Sequence, residues 1–261
     1  MHIHLFEFTD QPWLPAILRQ YVTDYLHFVI TKAGIYKPAI PILKEVIDKT
    51  GTDELLDLCS GSGGGVDIVQ KELSELAGKE IKLKMSDKYP NIEPYELLKN
   101  NSTGGLDYLK ESVDVMHVPN YLKGIRTLFS AFHHFRPKQA KEILKDALQN
   151  NTPICIFEGA GKTVLDFFGI LIFTPIIFFF ITPFIKPFKL SRILFTYLIP
   201  IVPITTVWDG LVSILRMHTP VDMLKMANEI NAPGYVWKAD EIKGKFGNSV
   251  MYLVGYPECT I

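Results

Sequence analysis

The residues of this 261-residue chain best suited to hold a ligand form one short run, Glu54-Leu-Leu-Asp57-Leu-Cys59-Ser-Gly61-Ser-Gly63-Gly-Gly65. A brief apolar strand ends at Asp57, and the glycines beyond it can take positive φ and let something flat and polar lie against the backbone. Residues 66–73 then carry apolar side chains at helical spacing, so the N–H groups of a helix N-terminus face the same point. Strand, glycine turn and helix together make the nucleotide-binding corner of an α/β sheet. A second acidic residue, Asp87, ends the alternating strand 81–85 and follows Gly63 by 24 residues. Strands 1 and 2 of such a sheet are neighbours, so a carboxylate at the end of strand 2 is placed to accept hydrogen bonds from ribose hydroxyls.

Spacing separates the cofactor classes that use this corner. The dinucleotide fingerprint G-x-G-x-x-G fails from Gly61, where Val66 holds the third position, and from Gly63, where Ile68 does. The remaining pattern, D-x-x-x-G-x-G from Asp57, resembles motif I of the class I S-adenosylmethionine-dependent methyltransferases. Their usual form is (D/E)-x-G-x-G-x-G, and here Cys59 takes the first glycine position. The resemblance covers roughly residues 52–160 and 208–257. It implies S-adenosylmethionine as cofactor, with Asp57, Cys59, Gly61, Gly63, Asp87 and Ser130 around it and Asp114 toward the adenine amino group.

The run Phe129-Ser-Ala-Phe-His-His-Phe135 resembles the S-x-x-H-H-F run of many small-molecule methyltransferases, at the strand exit where their active site opens. His133 and His134 are therefore expected to orient the acceptor or to act as general base, a role that suits an imidazole titrating near neutral pH. At least one of the two is expected to pack and hydrogen-bond at the strand end instead. Glu158 closes the fifth strand and either faces the acceptor or caps the loop 159–162. Asp209 and Arg216 are expected to pair with each other and fix what precedes them to the sheet.

The formal net charge of −1 lacks the basic excess of a nucleic-acid binder. Cys59, Cys155 and Cys259 lie far apart and read as thiols of a reducing compartment, without disulfide or zinc spacing. His2, His4, His27, His117 and His218 also lack metal-ligand spacing, so no metal is expected. Residues 1–10 contain neither a basic leader nor a long apolar stretch, and a cytoplasmic location is expected.

The elements that must position these groups read as one α/β unit with additions. Residues 13–30 and 38–49 are expected as helices of an N-terminal extension (1–50), either a lid over the cofactor or a pair packed on the sheet edge. Strands are expected at 112–115, 126–132 and 153–157, with an amphipathic helix at 137–148. A helix capped by Thr219 and opened by Pro220 follows, then a hairpin of 235–239 and 249–255. By resemblance this is a Rossmann-like, mostly parallel seven-stranded sheet with an antiparallel last strand. Only about nine residues separate the expected third and fourth strands, too few for an ordinary crossover helix.

The segment 163–207 interrupts this plan after strand 5. Residues 167–185 include no charge and 14 Phe, Ile or Leu, and residues 193–207 are again uncharged. Both approach the ~20 residues that cross a bilayer. Prolines 175, 183, 200 and 203, and the cations Lys186, Lys189 and Arg192 at the turn, fit a monotopic hairpin with the cations at headgroup level better than two spans. The other reading is a buried helical subdomain or a dimer interface. The expected function is thus methylation of a hydrophobic small molecule or lipid at the cytoplasmic surface of a membrane. A nicotinamide-dependent oxidoreductase and a non-catalytic cofactor-binding membrane scaffold are the alternatives.

Overall fold

The computed structural model describes residues 5–230, 232–244 and 249–258, so His2, His4 and Cys259 lie outside the described residues. Seven strands form one sheet in the order β3-β2-β1-β4-β5-β7-β6. They are β1 (Glu54–Asp57), β2 (Lys82–Met85), β3 (Leu106–Tyr108), β4 (Ile125–Phe129), β5 (Ile154–Glu158), β6 (Tyr235–Lys243) and β7 (Ser249–Pro257). The first five run parallel, and β7 inserts antiparallel between β5 and β6. The Rossmann-like sheet with its antiparallel last strand is as expected. Leu55 and Leu56 of β1 and all five residues of β5 are buried, as central strands covered on both faces require.

Helices α2 (Ile40–Thr50), α3 (Val66–Ala77) and α4 (Ile92–Asn101) cover one face, where Leu43, Ile47, Val69 and Leu73 pack on Leu55, Leu83 and Phe157. Helices α5 (Pro137–Gln149) and α9 (Pro220–Asn228) cover the other, with Ile143, Leu144 and Met223 against Leu56, Leu128 and Ile156. The N-terminal fifty residues do not act as one piece. Helix α2 belongs to the sheet's own core, whereas α1 (Ala16–Ala33) buries Leu18, Tyr21 and Tyr25, together with Leu14 just before it, against Phe178, Ile185 and Val202 of the insert.

Two strand assignments shift. The third strand is 106–108, because Leu106 is the apolar residue that buries beneath Leu83 at the sheet edge. Residues 112–115 instead form an irregular stretch whose Val113 and Val115 pack on the opposite face, with the Val113 N–H donating to Asp87 O at 2.9 Å. No helix occurs between β3 and β4, although residues 109–124 now separate them and the short spacing expected from a strand at 112–115 does not exist. β4 stops at Phe129 because Ser130 turns to φ 46°, a left-handed conformation that ends pleated pairing.

The insert is α6 (Val164–Ile181), a turn, α7 (Leu190–Ile193) running into a π-helical turn (Leu194–Leu198), and α8 (Ile201–Arg216). The axis bends by 72° between the π-helical arm and α8. Arg192, expected at headgroup level, is 1% exposed instead. Its guanidinium donates to Ile185 O (2.9 Å), Pro187 O (3.1 Å) and the Asp24 carboxylate of α1. With Tyr25 stacked on Phe178 at 3.6 Å between ring centroids, this ion pair clamps the hairpin to α1.

Candidate functional site

Because β1, β2 and β4 are parallel neighbours, their C-terminal ends bring together Asp57, the glycine loop, Asp87 and Ser130. Asp57 is 1% exposed, and both its oxygens are engaged: Oδ1 accepts from Thr127 Oγ1 (2.9 Å) and Oδ2 from Ser60 Oγ (2.5 Å). Burial pushes its pKa up to about 7, against the lowering effect of these two hydroxyls. Asp57 therefore holds the loop from beneath. Asp87 stands above it, accepting from Gly61 N–H at 3.0 Å and from Tyr89 N–H at 2.8 Å.

The glycines divide into two kinds. At Gly63 an added Cβ would lie 2.4 Å from Leu98 Cδ1, and at Gly65 2.8 Å from Ile30 Cγ2, so neighbours close over both. At Gly61 (φ +55°) an added Cβ would meet nothing within 4 Å. Ligand approach is therefore open at Gly61, while Gly63 and Gly65 serve packing. Cys59 (φ 61°) and Ser130 (φ 46°) flank the corner in left-handed conformations that cost a non-glycine residue ~1–2 kcal/mol each. Ser130 Oγ accepts from Tyr36 O–H (2.7 Å) and Gly159 N–H (3.0 Å), tying the N-terminal helices to β4 and β5. Asp114 lies in the irregular stretch, bonded to Lys88 Nζ (2.9 Å) and Met116 N–H (3.0 Å) rather than ending a strand.

A second cluster begins one turn beyond Ser130. Glu158, fully buried, accepts from the His133 N–H at 3.0 Å and meets His133 Nδ1 at 2.7 Å. Burial would raise the Glu158 pKa, but the His133 charge and its two hydrogen bonds outweigh this and hold it below the usual carboxylate range. The expected choice between facing the acceptor and capping the loop thus resolves to a third role, the orientation of His133. The half-buried His134 has Nδ1 3.3 Å from Asp10 Oδ1 and 3.4 Å from Glu7 Oε2. Burial acts to lower its pKa, yet the Asp10 hydrogen bond and the Glu7 charge raise it overall.

Glu7 and Asp10 arrive on an N-terminal segment held by α8. Asp209 accepts from Phe8 N–H (2.6 Å), Thr9 N–H (3.0 Å) and Thr9 Oγ1 (2.8 Å). Arg216 pairs with Glu7 Oε1 (3.1 Å) and Asp10 Oδ2 (3.0 Å). Asp209 and Arg216 thus fasten this segment and not each other, contrary to the expected pair. Glu7, His133 and His134 offer possible metal-ligating atoms within 4.8 Å of one another, a grouping absent from the sequence spacing. Arg216 already supplies the cation beside Glu7.

No protein-family model matches this chain, and no curated protein matches its sequence. Solved structures do match its fold. A plantazolicin methyltransferase in complex with SAH superposes with a TM-score of 0.59 at 10% identity, over 96% of this chain and 94% of that one. The CMeT domain of the citrinin polyketide synthase gives 0.53 at 12% identity, over 95% and 59%. PigF with SAH gives 0.50 at 13%, over 95% and 63%. The chain therefore has the fold shared by class I methyltransferases.

Proposed function

We propose that this chain is an S-adenosylmethionine-dependent methyltransferase that acts on a hydrophobic small molecule or lipid at the cytoplasmic surface of a membrane. The observation that carries the reading is the corner at Gly61, where an open, left-handed glycine lies between the buried Asp57 and the partly exposed Asp87. The corner fits S-adenosylmethionine: Gly61 leaves room for close approach, and Asp87 keeps lone pairs for ribose hydroxyls. Two similar folds carry SAH, the demethylated form of this cofactor.

When bound, the cofactor supplies an electrophilic methyl group, and this chain's residues then orient the acceptor. Glu158 fixes His133 so that, with a proton on Nδ1, Nε2 is the basic nitrogen able to take a proton from an acceptor that must lose one. The insert supports the hydrophobic setting. Val164–Phe184 has a mean hydropathy of 2.5, and its most apolar window is only 6% buried. Leu165, Phe173 and Phe180 are more than half exposed, unlike residues of a core helix.

Calorimetric titration with SAH tests the cofactor assignment. Binding should be saturable and fall at least tenfold in Asp87→Ala, about 1.4 kcal/mol or more. Binding of NAD(H) instead would replace the reading with an oxidoreductase. Incubation with methyl-labelled S-adenosylmethionine and a total lipid extract separates enzyme from scaffold, since only an enzyme leaves label in an organic-soluble product.

A further inference from the structure

The apolar surface does not stop at the insert. On α8, the exposed Ile204 and Trp208 stand one turn apart on the same face. The Trp208 ring packs on Phe6 and Phe8, with centroids 5.6 and 6.1 Å away, and its Nε1–H donates to Phe6 O at 2.9 Å. Phe8 in turn meets the Trp13 ring edge-on at 5.9 Å. A chain of ring contacts thus leads from the insert onto segment 5–13. That segment is two-sided: Glu7 and the following Leu14 are buried, whereas Leu5, Phe6 and Ile17 are each more than 40% exposed and Trp13 is 64% exposed.

The inward side has its partners within the chain. Glu7 reaches Arg216 and His134, Leu14 joins Phe178 and Val202, and the backbone is held by Asp209 and by Arg19, which donates to Thr9 O at 2.9 Å and Gln11 O at 2.7 Å. Aromatic rings turned outward from a backbone so satisfied suit a lipid headgroup region, where a ring buries its apolar body and keeps its polar edge wet. Charge favours the same occupant. Residues 14–33 and 164–207, which include α1 and most of the insert, carry Arg19, Lys32, Lys186, Lys189 and Arg192 against only Asp24 and Asp166, three cations in excess within a chain of formal net charge −1. The acidic groups of the segment, Glu7 and Asp10, are engaged by Arg216 and His134. The rest of the chain is correspondingly acidic, so an anionic surface attracts α1 and the insert and repels the sheet.

We infer that Leu5, Phe6, Trp13 and Ile17 form a second membrane contact, an aromatic edge lying in the headgroup region of an anionic bilayer while the insert enters the hydrocarbon. Glu7 follows Phe6 in the chain and faces His134, so the segment that touches lipid on its outer side touches the candidate acceptor cluster on its inner side. The contact rests on the proposed membrane reading of the insert and extends it to a part of the chain outside that insert.

Photolabelling of the unmodified full-length chain tests it. Phosphatidylcholine–phosphatidylglycerol vesicles would carry a phospholipid with a diazirine either near the glycerol backbone or at the acyl terminus. The shallow probe should label residues 5, 6, 13 and 17 as well as the insert, and the terminal probe only the insert, at residues 173 and 180. Trp13→Ala combined with Ile17→Ala, both at exposed positions, should weaken vesicle partitioning by about fivefold or more and leave SAH calorimetry unchanged. Vesicles of phosphatidylcholine alone should bind the unmodified chain about tenfold or more weakly. Label on the insert with none at residues 5–17, unchanged partitioning of the double variant, or equal binding to neutral vesicles would overturn this contact and leave the membrane reading standing. A chain that binds SAH but takes no label anywhere would refute the membrane reading itself, and the second contact with it.

Discussion

Glu158 is a carboxylate with no solvent contact, and an unpaired charge there would be untenable; its partner is one imidazole that also donates its backbone N–H. Replacing it by glutamine keeps the shape and removes the charge that aligns His133. Glu158→Gln is expected to retain SAH binding, to lose about 1–3 kcal/mol of stability in urea denaturation, and to lower label transfer into the lipid extract by ~10²–10³-fold. Unchanged transfer would reduce the pair to a structural tie. The sequence placed His133 and Glu158 near the ends of adjacent strands 4 and 5 but did not show their pairing, since it had Glu158 face the acceptor or cap the loop 159–162. It could not show Glu7, Asp10 or Tyr36, which reach the site through tertiary packing of segments far away in the chain. No local spacing records contacts such as Tyr36 with Ser130 or Glu7 with Arg216.

The segment 5–13 illustrates how an element without regular structure is fixed by charge. Its docking joins His134 to Asp10 and Glu7, raising the His134 pKa above the usual 6.5; Asp10 moves the other way, from 3.8 to about 2, because the His134 and Arg216 interactions outweigh desolvation. A raised histidine contributes stability fully below its unfolded pKa and loses it as pH rises through the folded one. A lowered carboxylate contributes above its unfolded pKa and loses it as pH falls toward 2. The segment should therefore be held best between about pH 4 and 6.5 and loosen above that window. Hydrogen–deuterium exchange of residues 5–13 should show stronger protection at roughly pH 6 than at roughly pH 9, and His134→Phe should flatten the difference. Equal protection in the unmodified chain would exclude the mechanism. Among the regular elements, α5 and α9 were legible from proline at N1 and apolar periodicity. The three-residue β3 was not, because so short an edge strand has too few residues to display alternation, and the valines of 112–115 imitate one.

At the scale of the whole molecule, the outward apolar side chains of the insert are the feature a water-exposed protein least tolerates. Full-length protein should float with anionic vesicles in a density gradient and resist high salt, whereas the triple change Phe173→Asp, Phe180→Asp and Ile204→Asp should remain in the soluble fraction with SAH affinity unchanged. All three positions are at least 60% exposed, so the exchange leaves the packing of the sheet and of α1 in place. A soluble, monomeric full-length protein would refute membrane attachment. Cutting out residues 164–206 would be a poorer experiment than these substitutions, since it would also strip Phe178, Ile185 and Val202 from α1. That helix has one further consequence, mechanical rather than chemical. Near its C-terminal end, Ile30 and His27 rest on Gly65 and Gly64; further toward its start, Tyr25 and Asp24 grip Phe178 and Arg192. A single beam thus bears on the corner at Gly61 and on the insert; if the insert lies in a bilayer as proposed, a tilt imposed by bilayer thickness or tension loads both supports at once.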